Sequence, residues 1–185
     1  MSGTVDLHIH TTASDGSDSP EQLLKKLRDA GICTFAVTDH DTVAGARAMA
    51  ALPHSGLRFI PGIEFSCISH AGECHILGYG CYFEDKAFVA ALEAGAALRR
   101  KKLESRLEHL RERHGVVFTP EELSWLRSQS SPGKPHFARL LVDRGLADTL
   151  DAAIHTYFAG LSEGTGRIPA AQAVSGILHA GGIPV

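Results

Sequence analysis

The chain has 185 residues, of which 44% are hydrophobic, 21% charged and 6% aromatic; this is the composition of an ordinary globular domain and excludes a disordered or fibrous protein. Eighteen Lys and Arg residues against 21 Asp and Glu residues leave a formal charge of −3, so the chain lacks the cationic field that supports tight, sequence-independent binding of duplex DNA. No stretch reaches the roughly 20 apolar residues of a membrane span, and no signal peptide precedes the first strand-like segment, so we expect a cytoplasmic protein.

The first third of the chain alternates short apolar runs with loops and helical stretches, which predicts βα units that feed a mainly parallel sheet. The predicted strands lie at residues 5–10, 32–37, 57–60, 63–68 and 75–79, and the predicted helices at 20–30 and 43–51. Ser19 and Gln22 supply a capping box for the first helix, and Gly31 ends it. Pro61-Gly62 is expected to break the third strand from the fourth.

After residue 83 the hydrophobic period becomes helical. Leucines at helical spacing predict a long amphipathic helix over 84–114, and the basic run Arg99 to Lys102 is interpreted as its solvent-exposed face. Further helices are predicted at 119–128, 135–144, 149–159 and 169–180. A final strand begins at Ile183 and has three residues before the sequence ends, fewer than the roughly five that an interior strand needs, so we expect a sequence cut within its fold.

These elements divide the chain into three segments. Residues 1–83 form an N-terminal βα part, residues 84–165 an all-helical insertion, and residues 166–185 a return to the first part. The four cysteines show neither CxxC spacing nor the density of a disulfide scaffold, so we expect reduced thiols.

Histidine is the residue that points to function, because the chain has eleven and several of them neighbour Asp or Glu in the first eighty positions. His8 and His10 are two apart on a strand, so their side chains leave the same face about 7 Å apart. Such a pair alone often arises by chance. Asp15, His40, Glu64 and His75 then recur in or after successive strands, and the carboxyl ends of parallel strands meet at one mouth, so we expect a common site.

Imidazole and carboxylate ligands without thiolate suit Mn²⁺, Zn²⁺ or Fe²⁺, and a carboxylate such as Glu64 can bridge two ions. Two or three divalent ions can deprotonate a bridging water, hold phosphoryl oxygens and stabilise the charge of the leaving oxygen. The sequence therefore favours hydrolysis of a phosphate ester. An amidohydrolase-like enzyme that cleaves a C–N bond is the alternative, because enzymes of that kind also carry H-x-H on a first barrel strand.

The segments DLHIHTTASDGSDSPEQLL, AVTDHDT, GIEFS, CHILGYG, GKPHFARLLVDRG and HAGGIPV together resemble the PHP (polymerase and histidinol phosphatase) phosphoesterases. The chain is most similar to the small bacterial branch with a helical insertion, whose members act on nucleoside monophosphates, nucleoside 3′,5′-bisphosphates or the 5′ ends of short RNAs. The resemblance implies an α/β fold of the distorted (β/α) barrel type. It also implies a small phosphorylated substrate, with a nucleotide favoured.

By the same resemblance, His8 and His10 bind one metal ion, Glu64 bridges to a second that also takes His75, and Asp15 and His40 bind a third. Asp15, His40 and Glu64 are the implied catalytic residues. The family's remaining ligands, a histidine of an A-H-P motif that follows the strand beginning G-G-I-P-V and the Asp and His of a later D-x-H motif, do not occur in this sequence. A catalytically incomplete fragment that binds metal, or that forms homo-oligomers through an open sheet edge, is therefore a second alternative.

The helical segment supplies the candidate substrate contacts. Lys134 and His136 stand at the start of a predicted helix, where the helix dipole attracts anions, and Arg167 lies in a loop that can reach the substrate. A solvated Lys134 and a purely structural His136 are the alternatives. Asp39 is a candidate partner for a ligand imidazole, and Asp41 is expected to cap the helix that follows it.

Overall fold

A mixed sheet with helices packed against it gives the chain its α/β architecture. The computed structural model describes residues 4–161 and 166–185. The strands are β1 Thr4–Ile9, β2 Ile32–Val37, β3 Arg58–Ser69, β4 Gly72–Tyr79, β5 Ile168–Pro169 and β6 Ile183–Pro184. The helices are α1 Pro20–Asp29, α2 Ala44–Ala50, α3 Lys86–His114, α4 Pro120–Ser128, α5 Lys134–Asp143, α6 Leu150–Tyr157 and α7 Ala170–His179.

The sheet runs in the order β1-β2-β3-β4-β6, with β5 paired to β3. The pairs β1–β2, β2–β3 and β3–β5 are parallel, whereas β3–β4 and β4–β6 are antiparallel. Among the strands that the structure describes, β6 runs in the same direction as β1, β2, β3 and β5, because it is antiparallel to β4. The prediction of a mainly parallel sheet is therefore wrong for β4 alone. The reason is the two-residue connection His70-Ala71, because a parallel crossover needs a dozen or more residues.

Strand β3 continues through Pro61-Gly62, so the predicted break there is wrong. Its first part, Arg58–Pro61, pairs with β2, and its second part, Gly62–Ser69, pairs with β4. Proline is tolerated because Pro61 is the last residue of β3 that pairs with β2. Residue 62 is glycine because neighbouring atoms leave no room for a side chain. A Cβ on Gly62 would lie 2.9 Å from Cγ2 of Thr38 and 3.0 Å from the carbonyl oxygen of Val37.

The helices start and end close to where the sequence predicts. The predicted capping box of Ser19 and Gln22 forms at the start of α1, and a second one, of Thr119 and Glu122, forms at the start of α4. Each box satisfies backbone N–H groups that a helix leaves without partners at its first turn.

Helix α3 connects two apolar clusters. Near its start, Phe88 and Ala91 pack with Phe65 of β3 and with α7. Further along, Leu103 and Leu110 belong to a separate cluster made with α4, α5 and α6. The predicted three-segment division stays a prediction, and its boundary at residue 165 lies outside the described residues.

Strand β1 forms one edge of the sheet, and Val5 and Leu7 on it are exposed. Association of chains through an open sheet edge stays a prediction.

The cysteines are free thiols, as predicted, with Cys67 and Cys81 buried. In the two ranges that the structure describes, no helix has both the length and the hydropathy to cross a bilayer.

Candidate active site

The sheet brings the six predicted ligand residues to one place. His8 and His10 lie at the end of β1, His40 follows β2, Glu64 lies in β3 and His75 in β4. A parallel bridge joins His40 to Glu64, in which the Glu64 N–H donates to the Asp39 carbonyl at 3.2 Å. This backbone register sets the two side chains next to each other.

Glu64 is only 2% exposed, and its carboxylate lies among imidazoles. Its Oε2 accepts a hydrogen bond from Nε2 of His8 at 3.0 Å and lies 2.9 Å from Nε2 of His10 and 3.3 Å from Nδ1 of His40. Its Oε1 accepts a hydrogen bond from Nδ1 of His75 at 2.5 Å. The two carboxylate oxygens thus face different imidazoles, an arrangement in which one carboxylate can bridge two cations.

Asp15 completes the cluster from the loop after β1. Its Oδ1 lies 2.7 Å from Nδ1 of His10, and its Oδ2 lies 3.7 Å from Nε2 of His40. Gly16 lets the loop fold back tightly, since a Cβ there would overlap the His10 carbonyl. His10 and His40 therefore each face Asp15 with one ring nitrogen and Glu64 with the other.

Asp39 holds this loop rather than a ligand imidazole. Its buried carboxylate accepts hydrogen bonds from the Thr11 N–H at 2.7 Å, the Thr11 hydroxyl at 2.8 Å and the Ser14 hydroxyl at 2.6 Å. The expectation that Asp39 orients a histidine is therefore corrected. Asp39 places Asp15 indirectly, because Thr11 and Ser14 belong to the loop that carries Asp15.

The geometry fits divalent cations. Within the described residues, the cluster contains triads whose ligand atoms lie within 4.8 Å of one another: His8-His10-Glu64, His10-Asp15-His40 and His40-Glu64-His75. Nε2 of His10 and Nδ1 of His40 are buried and have no hydrogen-bond partner among residues 4–161 and 166–185, although both face Oε2 of Glu64. A cation between these nitrogens and the carboxylate would satisfy both. The donor set of nitrogen and oxygen suits Mn²⁺, Zn²⁺ or Fe²⁺.

The charges of the cluster perturb its own pKa values. Burial alone would lower the pKa of His10, but Asp15 and Glu64 outweigh it and raise that pKa to about 9. Burial and the nearby Arg99 lower the pKa of His40 to about 4. Burial would raise the pKa of Glu64, but the imidazoles of His10 and His75 hold it well below the ordinary range. Without a cation, a proton on His10 thus balances part of the carboxylate charge.

A cleft of ≈ 200 Å³ beside the cluster is lined by His40, His75 and Asp15 together with basic side chains. We name it the cationic cleft, and its basic residues are Arg99, Lys102, Arg106, Lys134 and Arg167. The chain's net negative charge therefore does not describe this surface, where cations are concentrated beside the candidate ligands.

The interpretation of the basic run on α3 as a solvent-exposed face is wrong for part of that run. Lys102 is 8% exposed and Arg106 5% exposed, and both line the cationic cleft with Arg99. Arg100 and Lys101 are exposed, as expected. The signal was present in the sequence, since Arg99 and Arg106 lie at the same helical spacing as the buried Leu103 and Leu110.

Asp41 pairs with α3 and does not cap α2, so the predicted cap is wrong. Helix α2 begins after Val43, without a side-chain cap. The Asp41 carboxylate accepts a hydrogen bond from Nε of Arg99 at 2.6 Å and one from the Ser66 N–H at 2.8 Å. Nη2 of Arg99 also donates to the Ser66 hydroxyl at 2.8 Å. Arg99 is thereby fixed at the wall of the cleft.

The predicted substrate residues lie around the same cluster. Lys134 begins α5 and lines the cationic cleft, with its Nζ 5.8 Å from the centre of the Phe158 ring. Nη1 of Arg167 lies 3.2 Å from Nε2 of His75, and its Nη2 donates to Glu73 at 2.7 Å. His136 is buried, and its Nδ1 accepts a hydrogen bond from the Gly133 N–H at the start of α5. Their contact with substrate stays a prediction.

The sequence model of the family described as PHP domain matches residues 6–165. The chain belongs to the PHP domain family. This PHP chain is 33% identical to the 5′-3′ exoribonuclease Rnm of Escherichia coli, over 96% of its own length and 62% of the relative's. It is 28% identical to the 3′,5′-nucleoside bisphosphate phosphatase of Chromobacterium violaceum, over 96% of its own length and 67% of the relative's. The chain thus spans about three fifths of the length of the exoribonuclease.

The PHP chain also shares its fold with a solved structure of an amidohydrolase from Chromobacterium violaceum that has bound sulfate and no metal. The two agree with a TM-score of 0.85 at 26% identity, over 98% of this chain and 65% of the other. The resemblance to the PHP family stated from sequence motifs is therefore confirmed, and so is the α/β fold class.

Proposed function

We propose that this PHP domain hydrolyses a phosphate ester of a nucleotide with the help of two or three divalent metal ions. One observation carries the proposal: the buried Glu64 carboxylate, shared among histidines, stands directly beside the cationic cleft. A metal cluster and a basic wall are the two features that hydrolysis of a phosphate ester needs, one to activate water and one to neutralise the phosphate.

His8, His10 and Glu64 would hold one cation, Glu64 and His75 with His40 a second, and Asp15 with His40 and His10 a third. Bound divalent ions would supply Lewis acidity, which activates water and stabilises charge on phosphoryl oxygens. Glu64 would contribute to more than one of these positions, because its two oxygens face different imidazoles. Asp15 keeps His10 and His40 oriented towards Glu64 from the opposite side.

Arg99 and Arg167 are the side chains that would orient the phosphate. A guanidinium offers a planar fork of donors that matches two phosphate oxygens, and Arg99 is held in place by Asp41 and Ser66. Lys134 adds a point charge at the start of α5, where the helix dipole also favours an anion. The sulfate bound in the Chromobacterium violaceum relative is a tetrahedral anion of the same shape as phosphate.

Two of the relatives favour a nucleotide as the phosphate ester. One is named an exoribonuclease and another a nucleoside bisphosphate phosphatase, so both act on phosphorylated nucleosides or on their polymers. Amide hydrolysis is the alternative, because a solved relative is described as an amidohydrolase. The cationic cleft favours the phosphate ester, since a neutral amide gains nothing from a wall of arginine and lysine.

The test measures both turnover and the amount of bound metal on the same protein preparation. We expect the chain loaded with Mn²⁺ to release phosphate from adenosine 5′-monophosphate or adenosine 3′,5′-bisphosphate and to leave an amide panel intact. Glu64→Gln should lower both bound metal and turnover, whereas Glu93→Gln on the exposed face of α3 should lower neither. Cleavage of the amides alone would replace the proposal with the alternative. Full metal loading without any turnover would leave a metal-binding chain without catalysis.

A further inference from the structure

A second cleft is lined in part by Asp15 and includes neither Arg99 nor Arg167 in its lining. It is lined by the loop after β1 and by residues of α4, α5 and α6, and we name it the aromatic cleft; its main residues are Asp15, Trp125, Pro135, His136, Arg139 and Leu150. Asp15 and Pro135 also line the cationic cleft, so the two clefts meet at these residues. A molecule with one end at the metal cluster can therefore extend into either cleft.

The two clefts differ in chemistry. The cationic cleft is lined by arginine and lysine side chains with the histidines of the cluster, whereas the aromatic cleft presents the indole of Trp125 and the imidazole of His136. The centres of these two rings lie 5.7 Å apart and their planes are inclined at 54°. Leu150, 40% exposed, adds an apolar side chain. The phosphate end of a ligand matches the first cleft and a flat apolar ring matches the second.

Trp125 is the only tryptophan in the sequence, and the fold does not bury it completely. The next residue of α4, Leu126, is fully buried in the helical cluster, while Trp125 packs only at the margin of that cluster. A large aromatic side chain that keeps part of its surface at a cleft beside a catalytic centre offers a platform for a planar ring. Every nucleobase has such a ring, so stacking on an indole does not require one particular base.

We propose that the aromatic cleft binds the base of the nucleotide substrate, stacked on Trp125, while its phosphate lies at the metal cluster and the cationic cleft. This inference rests on the proposed function, because it orients the substrate from the position of the phosphate. Arg139, exposed at the rim, supplies a guanidinium that can donate to the edge of the base. The chain then distinguishes a nucleotide from a sugar phosphate by the base.

The first experiment uses the fluorescence of Trp125, which reports from the proposed subsite. The full chain is titrated without added metal with adenosine 5′-monophosphate and, as the ligand without a base, with ribose 5-phosphate. We expect adenosine 5′-monophosphate to quench the emission to saturation and ribose 5-phosphate to bind without comparable quenching. Equal affinities for the two ligands, with unchanged emission, would overturn the base subsite.

The second experiment compares KM for the same two esters in variants of α4. Trp125→Ala should raise KM for adenosine 5′-monophosphate by about 10-fold, the loss that removal of one base–aromatic stack causes, and should leave kcat and the KM for ribose 5-phosphate nearly unchanged. Trp125→Phe should restore most of the affinity, and Ser124→Ala, exposed on the same helix, should have no effect. An equal loss for both esters would mean a structural role for Trp125 and would overturn the proposal.

The two experiments separate failure of the subsite from failure of the proposed function. Quenching needs no turnover, so saturable quenching by adenosine 5′-monophosphate in a chain that hydrolyses nothing would support the base subsite and refute only the hydrolysis. Hydrolysis of both esters with equal KM values would support the hydrolysis and refute only the base subsite.

Discussion

Arg99 donates from Nε to Oδ2 of Asp41 across 2.6 Å, and this bond ties the long helix α3 to the loop that follows β2. The Asp41 side chain is 1% exposed and that of Arg99 15% exposed, so the pair lies largely out of water. The same guanidinium stands at the wall of the cationic cleft. A contact that joins the helical part to the sheet therefore also places a candidate phosphate ligand.

Arg99→Met is expected to lower the free energy of unfolding by about 3 kcal/mol, because it leaves the buried Asp41 carboxylate without its cation. Adding Asp41→Asn should recover most of that loss, since asparagine tolerates the positive φ of 48° at this position. Urea unfolding measures the stability of the single variant and of the double variant. Arg100→Met, on the exposed neighbour, is the matched control and should change stability by less than about 0.5 kcal/mol. If Arg100→Met lowered the free energy of unfolding by as much as Arg99→Met, the loss would come from a disturbance of α3 as a whole and not from the Arg99–Asp41 pair.

At Gly45 in α2, we expect substitution by alanine to change stability in the direction opposite to that expected from helix propensity. A methyl group at Gly45 would overlap Oδ2 of Asp39 and Oγ1 of Thr11, which together hold the loop of Asp15. Gly→Ala inside a helix ordinarily stabilises by about 0.5–1 kcal/mol, but we expect Gly45→Ala to destabilise by about 1–3 kcal/mol through overpacking. It should also weaken metal binding, because Asp15 moves with the loop. Urea unfolding checks the sign, and a stabilised Gly45→Ala would refute it.

Local signals predicted most of the elements correctly. The capping boxes at Ser19 and Thr119 and the apolar run at 32–37 depend on neighbouring residues, so they can be recognised without knowledge of the tertiary fold. The direction of β4 could also have been predicted, because two residues between strands permit a hairpin and exclude a parallel crossover. That β3 continues through Pro61 could not have been predicted from the sequence, since it depends on where β2 stops pairing with β3.

The gathering of His8, His10, Asp15, His40, Glu64 and His75 was predicted from one rule, the convergence of strand ends. The roles of Asp39 and Asp41 were missed because their partners, Ser14 and Arg99, lie 25 and 58 residues away in the sequence. An acidic residue after a strand has several local uses, and the sequence alone does not tell which distant donor meets it. The aromatic cleft was missed for the same reason, as Trp125 and Asp15 meet only in the folded chain.

Buried thiols make the fold sensitive to alkaline pH. Burial raises the pKa of Cys67 to about 12 and that of Cys81 to about 11. The ordinary value is near 9, so the stability that the neutral thiols confer is complete below pH 9. It is lost as the pH rises towards the folded-state values. Above pH 9 each thiol should lower the free energy of unfolding by about 1.4 kcal/mol per pH unit.

Urea unfolding at pH 8 and pH 10 tests this linkage. The double variant Cys67→Ala with Cys81→Ala should be less stable than the native chain at pH 8 but should lose less stability between pH 8 and pH 10, because it lacks the groups that titrate. Cys33→Ala, at a half-buried thiol of β2, is the matched control. Parallel pH profiles for all three proteins would contradict the assignment.

Metal binding should stabilise the chain, because the ligands are brought together only by folding. For an ion at about 100 times its Kd, each occupied position should add about 2.7 kcal/mol to the free energy of unfolding, and a chelator should remove that gain. His10 belongs to two of the triads found among the described residues and His8 to one. We therefore expect His10→Ala to lose more of the Mn²⁺-induced stabilisation than His8→Ala, with bound metal falling in the same order. His155→Ala, on the exposed surface of α6, should keep the full gain. An undiminished gain in His10→Ala would show that the cations bind elsewhere, and with it the proposed hydrolytic centre would fail.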